Sequence, residues 1–457
     1  MRVVLAIASV ALRSAIRSRV LFVLAVLLVG CAIALPLTIR GDGTIEGHVR
    51  ILLSYTLGSA VVLLSISAVW AGCAAIAAEV REHYIHLLTT KPVHPFQIWL
   101  GKWLALLAFH GVLLAAVFAM ATAMLLWTTR PEALDEEARR RLREEILVAR
   151  RSVRPREEGV EEAARKALEA EREAGRLPAE ADPEEMFRAI RHIQRVRFYA
   201  VPPNAVREWI FPLPKIPDRD RQAFLQFRFA KSELNLEAVS GQWRWGPSDA
   251  PRGSVTGVWT PEARHTVPLP SGAFGENREF RLSFGNTDPS GVTVFFDPDT
   301  GMELLIHERG FTGNLLRAGL VLFAQIAGLC ALGLSAGALF SMPVASFVSV
   351  VFVLFIQLGG YIGAMAAQRR ILVDDPNAGG LMVVLDALVR GVFRVLRVII
   401  APLQGPPVLD WIAEGRLIPG SAVASMFAWH AVIYAGILAL GSAWVLRRRE
   451  LGNPAVS

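Results

Sequence analysis

Six long apolar runs constrain the fold of this chain more than any other feature. A helix needs about 20 predominantly apolar residues to cross the hydrocarbon core of a bilayer. The chain is 53% hydrophobic, with a mean hydropathy of +0.40. The sequence therefore predicts an α-helical polytopic membrane protein of about six spans. The predicted spans are Val20–Ile39, Ile51–Ala78, Trp99–Trp127, Leu315–Phe340, Pro343–Ala366 and Ala422–Leu446.

Basic residues near the ends of these runs predict the orientation. Cytoplasmic loops of membrane proteins carry an excess of Lys and Arg. Arg13, Arg17 and Arg19 precede the first run, and Arg447–Arg449 follow the last. Because an even number of spans leaves both termini on one side, we expect cytoplasmic termini in a bacterial inner membrane. Residues 130–312 would then form an extracytoplasmic domain between the third and fourth spans.

The segment between the fifth and sixth predicted spans contains several arginines, although the predicted orientation places this segment outside the cytoplasm. If Leu381–Ala401 crossed the membrane, the number of spans would change from even to odd. However, Asp386, Arg390, Arg394 and Arg397 share one helical face, and a one-sided charged stripe is typical of a helix that lies in the membrane interface. We therefore expect an interfacial helix over 381–401. The first 19 residues show a similar cationic amphipathic pattern, which predicts contact with membrane lipid.

A charged insert, Glu79–Leu107, separates the second apolar run from the third. Backbone inside a membrane needs internal hydrogen-bond partners, so this short polar insert is expected in water at one bilayer face. Its first part, residues 79–90, predicts an amphipathic helix. The apolar side of that helix comprises Val80, Tyr84, Leu87 and Leu88.

The end of the insert leads directly into the third span. Lys91-Pro92 stops the short helix, because the residue before a proline is disfavoured in helical geometry. Trp99, Lys102 and Trp103 follow, and these residue types commonly anchor a span at the headgroup level. A short helix at the membrane face, followed at once by an anchored span, is well placed to relay force from a cytoplasmic partner.

The residues of this insert resemble the coupling segment of ABC exporter permeases. The shared features are a Glu, a short helix ending in Leu-Leu, a Lys-Pro-Val step and a Leu-Gly-Lys that opens the next span. The chain is most similar to the six-span permeases of the multicopper-enzyme maturation and gliding type. The ATPase-coupling residues that this resemblance implies are Glu79, Val80, Tyr84, Leu87, Leu88, Lys91, Pro92, Gly101 and Lys102.

The closing stretch resembles the same family through Pro407–Asp410, Ile412–Gly415 and Arg447–Leu451. Two positions depart from the family pattern. Tyr84-Ile85 replaces a small Gly-Thr pair, and His94-Pro95 stands where a basic residue usually follows Pro-Val. The resemblance covers an N-terminal membrane part, 1–129, and a C-terminal membrane part, 313–457.

The resemblance implies the permease subunit of an ABC transporter. This subunit would move substrate, or transmit force across the membrane, with ATP hydrolysed by a separate cytoplasmic ATPase chain. Two permeases, identical or different, would pair, and ATP and Mg²⁺ would bind the partner. Glycines such as Gly333, Gly337 and Gly359 permit close helix approach and are consistent with a dimer interface in the membrane. The alternative is a non-transporting membrane anchor whose external domain binds an envelope polymer or a partner protein.

The inserted domain, 130–312, is large enough for a core of its own. Its first part, 130–200, is rich in Glu, Arg and Ala and predicts charged helices, with a partly disordered stalk as the alternative. The Pro-rich stretch 201–220 is expected to be a linker. Period-two alternation over 221–311 predicts a β-sandwich. The inserted domain is thus expected to be of the α+β class.

Two groups of residues in the β region have alternative interpretations. Trp243, Trp245 and Trp259 could stack on a sugar ligand, or they could pack in the core as large aromatic side chains commonly do. Asp297, Asp299 and Glu303 could hold Ca²⁺. However, Asp297–Gly301 lacks the ligand spacing of a known calcium loop, and its composition is typical of a tight turn.

Several motifs of enzymes are missing from the sequence. It contains no GxxxxGK[ST] phosphate loop, no HExxH and no CxxC pair. Cys31, Cys73 and Cys330 all fall in predicted spans, where buried apolar packing is the usual role of a cysteine. His110 and His430 also fall in spans, either as functional groups or as partners of backbone carbonyls. We therefore expect no enzymatic activity, no cofactor, no metal and no nucleic-acid partner for this chain.

Overall fold

The computed structural model of the chain divides into two compact units. The first comprises Met1–Ile146, Phe311–Glu414 and Ile418–Ser457, and the second comprises Leu147–Gly310 with Gly415–Leu417. The structure describes residues 1–39, 47, 49, 51–81, 93–130, 136–142, 147–175, 183–214, 222–233, 235–247, 250–275, 278–368, 371–372 and 380–448.

The first unit is helical, and two further helices, α6 and α7, belong to the second unit. A π-helical turn, Leu52–Thr56, precedes α3, and a π-helical section, Phe427–Tyr434, joins α13 to α14. The helices are α1 Arg2–Arg17, α2 Arg19–Thr38, α3 Leu57–Arg81, α4 Pro95–Thr128, α5 Glu136–Arg141, α6 Val160–Glu173, α7 Pro183–Phe198, α8 Phe311–Leu339, α9 Met342–Gln357, α10 Gly359–Ala367, α11 Gly380–Ile400, α12 Val408–Ala413, α13 Gly420–Met426 and α14 Ala435–Arg448.

Among the residues that the structure describes, four helical stretches are long and apolar enough to cross a membrane: Leu52–Ala77, Pro95–Thr128, Phe311–Leu339 and Gly420–Arg448. The number rises to six if α1 with α2, and α9 with α10, each count as one bent span. The predicted fifth span is therefore not one straight helix, because it bends by 64° where α9 meets α10. The structure thus agrees with a multi-pass membrane protein of four to six spans.

Helix α11 covers the residues predicted as an interfacial helix. It exposes a row of large apolar side chains, among them Leu381 and Val398. Asp386 receives the backbone N–H groups of Ile371 and Leu372 at 2.7 and 2.9 Å and pairs with Arg390 at 2.9 Å. The backbone hydrogen bonds, followed by the charge of Arg390, lower the pKa of Asp386. The amphipathic helix is confirmed, and its place at a membrane interface stays a prediction.

Helices α3 and α8 approach each other so closely that only glycine fits between them. A Cβ added to Gly333 would collide with the backbone of Val69, and one added to Gly337 would collide with the backbone of Cys73. A Cβ on Gly72 would lie 2.8 Å from the backbone nitrogen of Leu334. Small residues allow this packing in membranes, where apolar burial does not drive helices together. Gly333 and Gly337 therefore pack within one chain, which corrects their assignment to a dimer interface.

The described residues of the second unit form three antiparallel sheets. Their strand orders are β1-β11-β4-β8, β2-β10-β5 and β3-β9-β6-β7. The sheets share one core rich in aromatic residues, which makes this unit a separate β-sheet domain. The strands are β1 Val148–Val153, β2 Ala200–Val201, β3 Val206–Pro212, β4 Ala223–Phe227, β5 Phe229–Lys231, β6 Val239–Trp245, β7 Gly253–Trp259, β8 His265–Leu269, β9 Glu279–Asn286, β10 Val294–Phe296 and β11 Met302–Gly310.

The sheets begin earlier in the chain than the sequence predicted. Strand β1 lies inside the segment expected to be helical, and β3, Val206–Pro212, lies inside the expected linker. The linker prediction was wrong because prolines at both ends of this stretch conceal a strand. Trp209 and Phe211 of β3 are buried in the core, and β3 pairs with β9 along its whole length.

A charged cluster ties α7 to the segment after β1 and to the turn between β10 and β11. Arg195 contacts Glu157 at 2.8 Å and Asp299 at 2.9 Å, and Tyr199 donates to Glu157 at 3.4 Å. The hydrogen bond that Arg195 donates to Glu157 is the largest cause that raises the pKa of Arg195. This charged helix is therefore held by specific ion pairs and does not form a disordered stalk.

Three residues from the C-terminal part of the chain complete the first sheet. Gly415–Leu417, named here the strap, forms an isolated parallel β-bridge with β1. Arg150 donates its N–H to Gly415 at 2.8 Å and accepts the N–H of Leu417 at 2.8 Å. The Arg416 side chain pairs with Glu303 at 2.8 Å and donates to Gln226 at 3.0 Å.

Candidate functional site

The structure describes four of the nine predicted coupling residues. Tyr84, Leu87, Leu88, Lys91 and Pro92 lie outside the described residues. The backbone of Glu79 and Val80 belongs to the last turn of α3. Gly101 and Lys102 are fully described, and both lie in the first turns of α4, in the last part of the insert.

His94 and Pro95 define where α4 begins. The His94 Nδ1 atom accepts the N–H of Phe96 at 3.2 Å, and the Gln97 side chain accepts the N–H of His94 at 3.3 Å. Such a reciprocal cap satisfies N–H groups that have no partner within the helix. Pro95 suits the first helical position because it has no N–H. The pair that departs from the family pattern is thus a helix-start signal, which the sequence analysis missed.

Gly101 allows α1 to pack directly on α4. A Cβ at this position would lie 2.8 Å from the side chain of Ile7 and 2.9 Å from the carbonyl oxygen of Val4. A residue larger than glycine would therefore push the two helices apart. The amphipathic N-terminal helix is tied to the start of α4 by this contact.

Lys102 connects α4 to α3. Its side chain is 3% exposed, and its ammonium group donates a hydrogen bond to the carbonyl oxygen of Ala75. A buried lysine requires such partners because desolvation of the charge is costly. The negative end of the α3 dipole also favours a cation near the C-terminal turns of that helix.

Trp103 connects α4 to α8. Its indole N–H donates to the carbonyl oxygen of Ala327 at 2.9 Å, and its ring stacks on Trp99 at 5.8 Å between centroids. Trp99 is buried. Lys102 and Trp103 therefore contact neighbouring helices, and the anchoring of this segment at the lipid headgroups stays a prediction. Gly101, Lys102 and Trp103 together form what we name the α4 junction, which joins the start of α4 to three other helices.

The histidines within the predicted spans make interhelical hydrogen bonds. His110 Nδ1 donates to Leu106 O at 2.9 Å, and Nε2 lies 3.2 Å from the hydroxyl of Ser67 on α3. His430 Nε2 contacts the carbonyl oxygen of Leu403 at 3.2 Å. Both arrangements fit polar contacts that hold helices together.

A serine motif in α8 was missed by the sequence analysis. Gly333–Gly337 has the spacing GxSxG, which in hydrolases places the serine on a turn between a strand and a helix. Here the motif lies within one continuous helix. Ser335 accepts a hydrogen bond from Ser442 at 2.8 Å. The motif therefore contributes to helix packing and lacks the geometry of a nucleophile elbow.

The three candidate stacking tryptophans do not form an exposed platform. Trp243 has no exposed surface and Trp245 is buried. Trp259 is partly buried and packs on Phe227 at 5.4 Å between centroids. This placement favours packing over ligand stacking.

The acidic residues near the β10–β11 turn have separate partners. Asp297 Oδ1 accepts the N–H groups of Asp299 and Thr300 at 2.8 and 2.7 Å. Asp299 pairs with Arg195, and Glu303 pairs with Arg154 and Arg416. Among the described residues, no group of three or more His, Cys, Asp or Glu is arranged to hold a metal ion.

No family model, curated protein or solved structure matches this chain.

Proposed function

We propose that this chain is the permease subunit of an ABC transporter, with ATP hydrolysed by a separate cytoplasmic ATPase. The sequence support is the resemblance of Glu79–Lys102 to a coupling segment. The structural observation that carries the proposal is the α4 junction. In the last part of the charged insert, the chain enters helix α4, whose first turns contact α1, α3 and α8.

The junction suggests how force would pass through the membrane unit. In this proposal, closure of two ATPase subunits displaces residues 79–90 and hence the start of α4. Gly101 transfers the displacement to α1, Lys102 to α3, and Trp103 to α8. The insert can favour one conformation only if it contacts the ATPase differently in the two states.

The experiment is co-purification of the full chain with its candidate phosphate-loop ATPase. We expect the wild type to retain the ATPase and the Leu87→Asp/Leu88→Asp double variant to lose it. Leu236→Asp is the control, because it places an acidic residue at an exposed leucine of the second unit. Gly101→Leu alters the junction but not the predicted docking helix, so it should retain the ATPase.

The outcomes separate the two candidate functions. If the wild type never retains an ATPase, the permease proposal fails and the membrane-anchor alternative stands. The observation that favours this alternative is the second unit's own aromatic core, which suits a binding module. If the Leu87/Leu88 variant binds as well as the wild type, residues 79–90 are not the docking segment.

A further inference from the structure

Most edge strands of the second unit are protected against pairing with another chain. An exposed edge presents unpaired N–H and C=O groups, and proteins usually blunt it with charges, proline, short length or a covering segment. The strap pairs with the middle of β1 at Arg150, and β8 contains Pro268. Strand β3 carries Arg207 and Glu208, and its Ile210 accepts the N–H of Arg156. Strands β2 and β5 are two and three residues long.

Strand β7 has none of these protections. It contains seven residues, Gly-Ser-Val-Thr-Gly-Val-Trp, with no charge and no proline. It pairs with β6 on one side, and no segment in the described part of the chain pairs with its other side. Ser254, Thr256 and Val258 point to solvent, and Val258 is 65% exposed. This edge can therefore accept another strand without meeting a charge or a steric block.

The sequence of β7 is complementary to itself. If two copies run antiparallel about Thr256, all seven residues pair. Ser254 then faces Val258, and Thr256 faces its own copy, a favourable cross-strand pair. On the inward side, Val255 faces Gly257 and Trp259 faces Gly253, so each bulky side chain lies opposite a glycine. No like charges meet in this register.

We propose that β7 is an interaction surface through which the second units of two copies of this chain pair edge to edge. A two-fold interface uses the same surface on both copies, and a self-complementary strand meets this requirement. The two four-stranded sheets would join into one sheet in the order β3-β9-β6-β7-β7-β6-β9-β3. This inference does not depend on the ATPase proposal, because it involves only the second unit.

The experiment is disulfide cross-linking of the full chain in membranes with cysteine variants of β7. Directly opposed residues in antiparallel strands have Cα atoms about 4.5–5.5 Å apart, which suits a disulfide. Thr256→Cys should therefore give a species of twice the 49.9 kDa chain mass. The control Val258→Cys lies about 13 Å from its own copy in this register. A second control, Thr266→Cys, places the same change at an exposed position of β8. Both controls should stay at background.

A double variant tests the register and guards against a folding defect. Ser254→Cys/Val258→Cys should cross-link two chains, although neither single variant does, because these positions face each other across the pair. The proposal is overturned if Thr256→Cys gives no more dimer than Val258→Cys, or if Val258→Cys alone cross-links equally well. Cross-linking of Thr256→Cys to a different protein would also overturn it, and would assign the edge to a strand from another partner.

Discussion

The contacts inside the first unit differ in kind from the contacts inside the second. In the first, α3 and α8 meet through Gly72, Gly333 and Gly337, with backbone packed on backbone. In the second, the core is filled by large aromatic side chains such as Trp243 and Phe284. Lipid gives no advantage to apolar burial between helices, so close approach and polar contacts must hold them. Water does give that advantage, in proportion to the apolar area buried. The first unit is therefore sensitive to added volume, and the second to lost volume.

Removal of a core aromatic ring from the second unit should have the largest effect. We expect Trp243→Ala to lower the free energy of unfolding by about 3–5 kcal/mol, because a buried ring leaves a cavity when it is truncated. Thermal unfolding of the purified full chain, followed by tryptophan fluorescence, measures the change. Trp259→Ala is the control and should cost clearly less, because Trp259 is only partly buried. Equal losses would contradict the assignment of Trp243 to the centre of the core.

Addition of a single methyl group to the first unit should have the next largest effect. Gly333→Ala places a Cβ against the backbone of Val69, and we expect overpacking to cost about 1–3 kcal/mol. Gly436→Ala on α14 is the matched control, since no atom lies within 4 Å of its added Cβ. That variant should be neutral, or more stable by up to about 1 kcal/mol, because alanine favours helix over glycine. The melting temperatures of both variants and the wild type in the same detergent test this prediction. Gly333→Ala should lower the melting temperature, whereas Gly436→Ala should not.

The smallest expected effect concerns acid sensitivity of the turn between β10 and β11. Burial raises the pKa of Asp297, but hydrogen bonds from Thr300 and Asp299 outweigh it and hold the pKa below its ordinary value. The folded pKa thus lies below the unfolded value of about 3.9. The carboxylate therefore contributes stability above the unfolded pKa, and this contribution is lost as pH falls through the folded pKa.

Asp297→Asn tests the acid effect because it keeps an acceptor oxygen for the turn but removes the titration. Urea unfolding of the full chain at neutral pH and near pH 3, monitored by tryptophan fluorescence, should show a smaller acid-induced shift for the variant than for the wild type. The same shift in both proteins would show that Asp297 does not contribute.

The sequence predicted the features that depend on local pattern. The apolar runs lie in the helices that could cross a membrane, and the charged stripe beginning at Asp386 identified α11. Features that depend on which elements meet were not predictable. Gly333 and Gly337 were assigned to an interface between chains, because spacing alone does not identify the facing helix. The contact of Trp103 with Ala327 was also not predictable, since residue type does not reveal which helix a side chain meets. The docking role of Leu87 and Leu88 stays a prediction.

The strap also affects where the second unit can be cut from the chain. A contiguous fragment covering 147–310 would leave Arg416 behind, and Glu303, 3% exposed, would lose one of the two ion pairs that it forms among the described residues. A buried carboxylate that loses a cation is strongly destabilising. A soluble version of this domain thus needs the peptide Gly415–Leu417 supplied, either in trans or through a designed connection back to β1. In evolution, a transfer of this insertion to another membrane protein would have to carry two separate pieces of coding sequence.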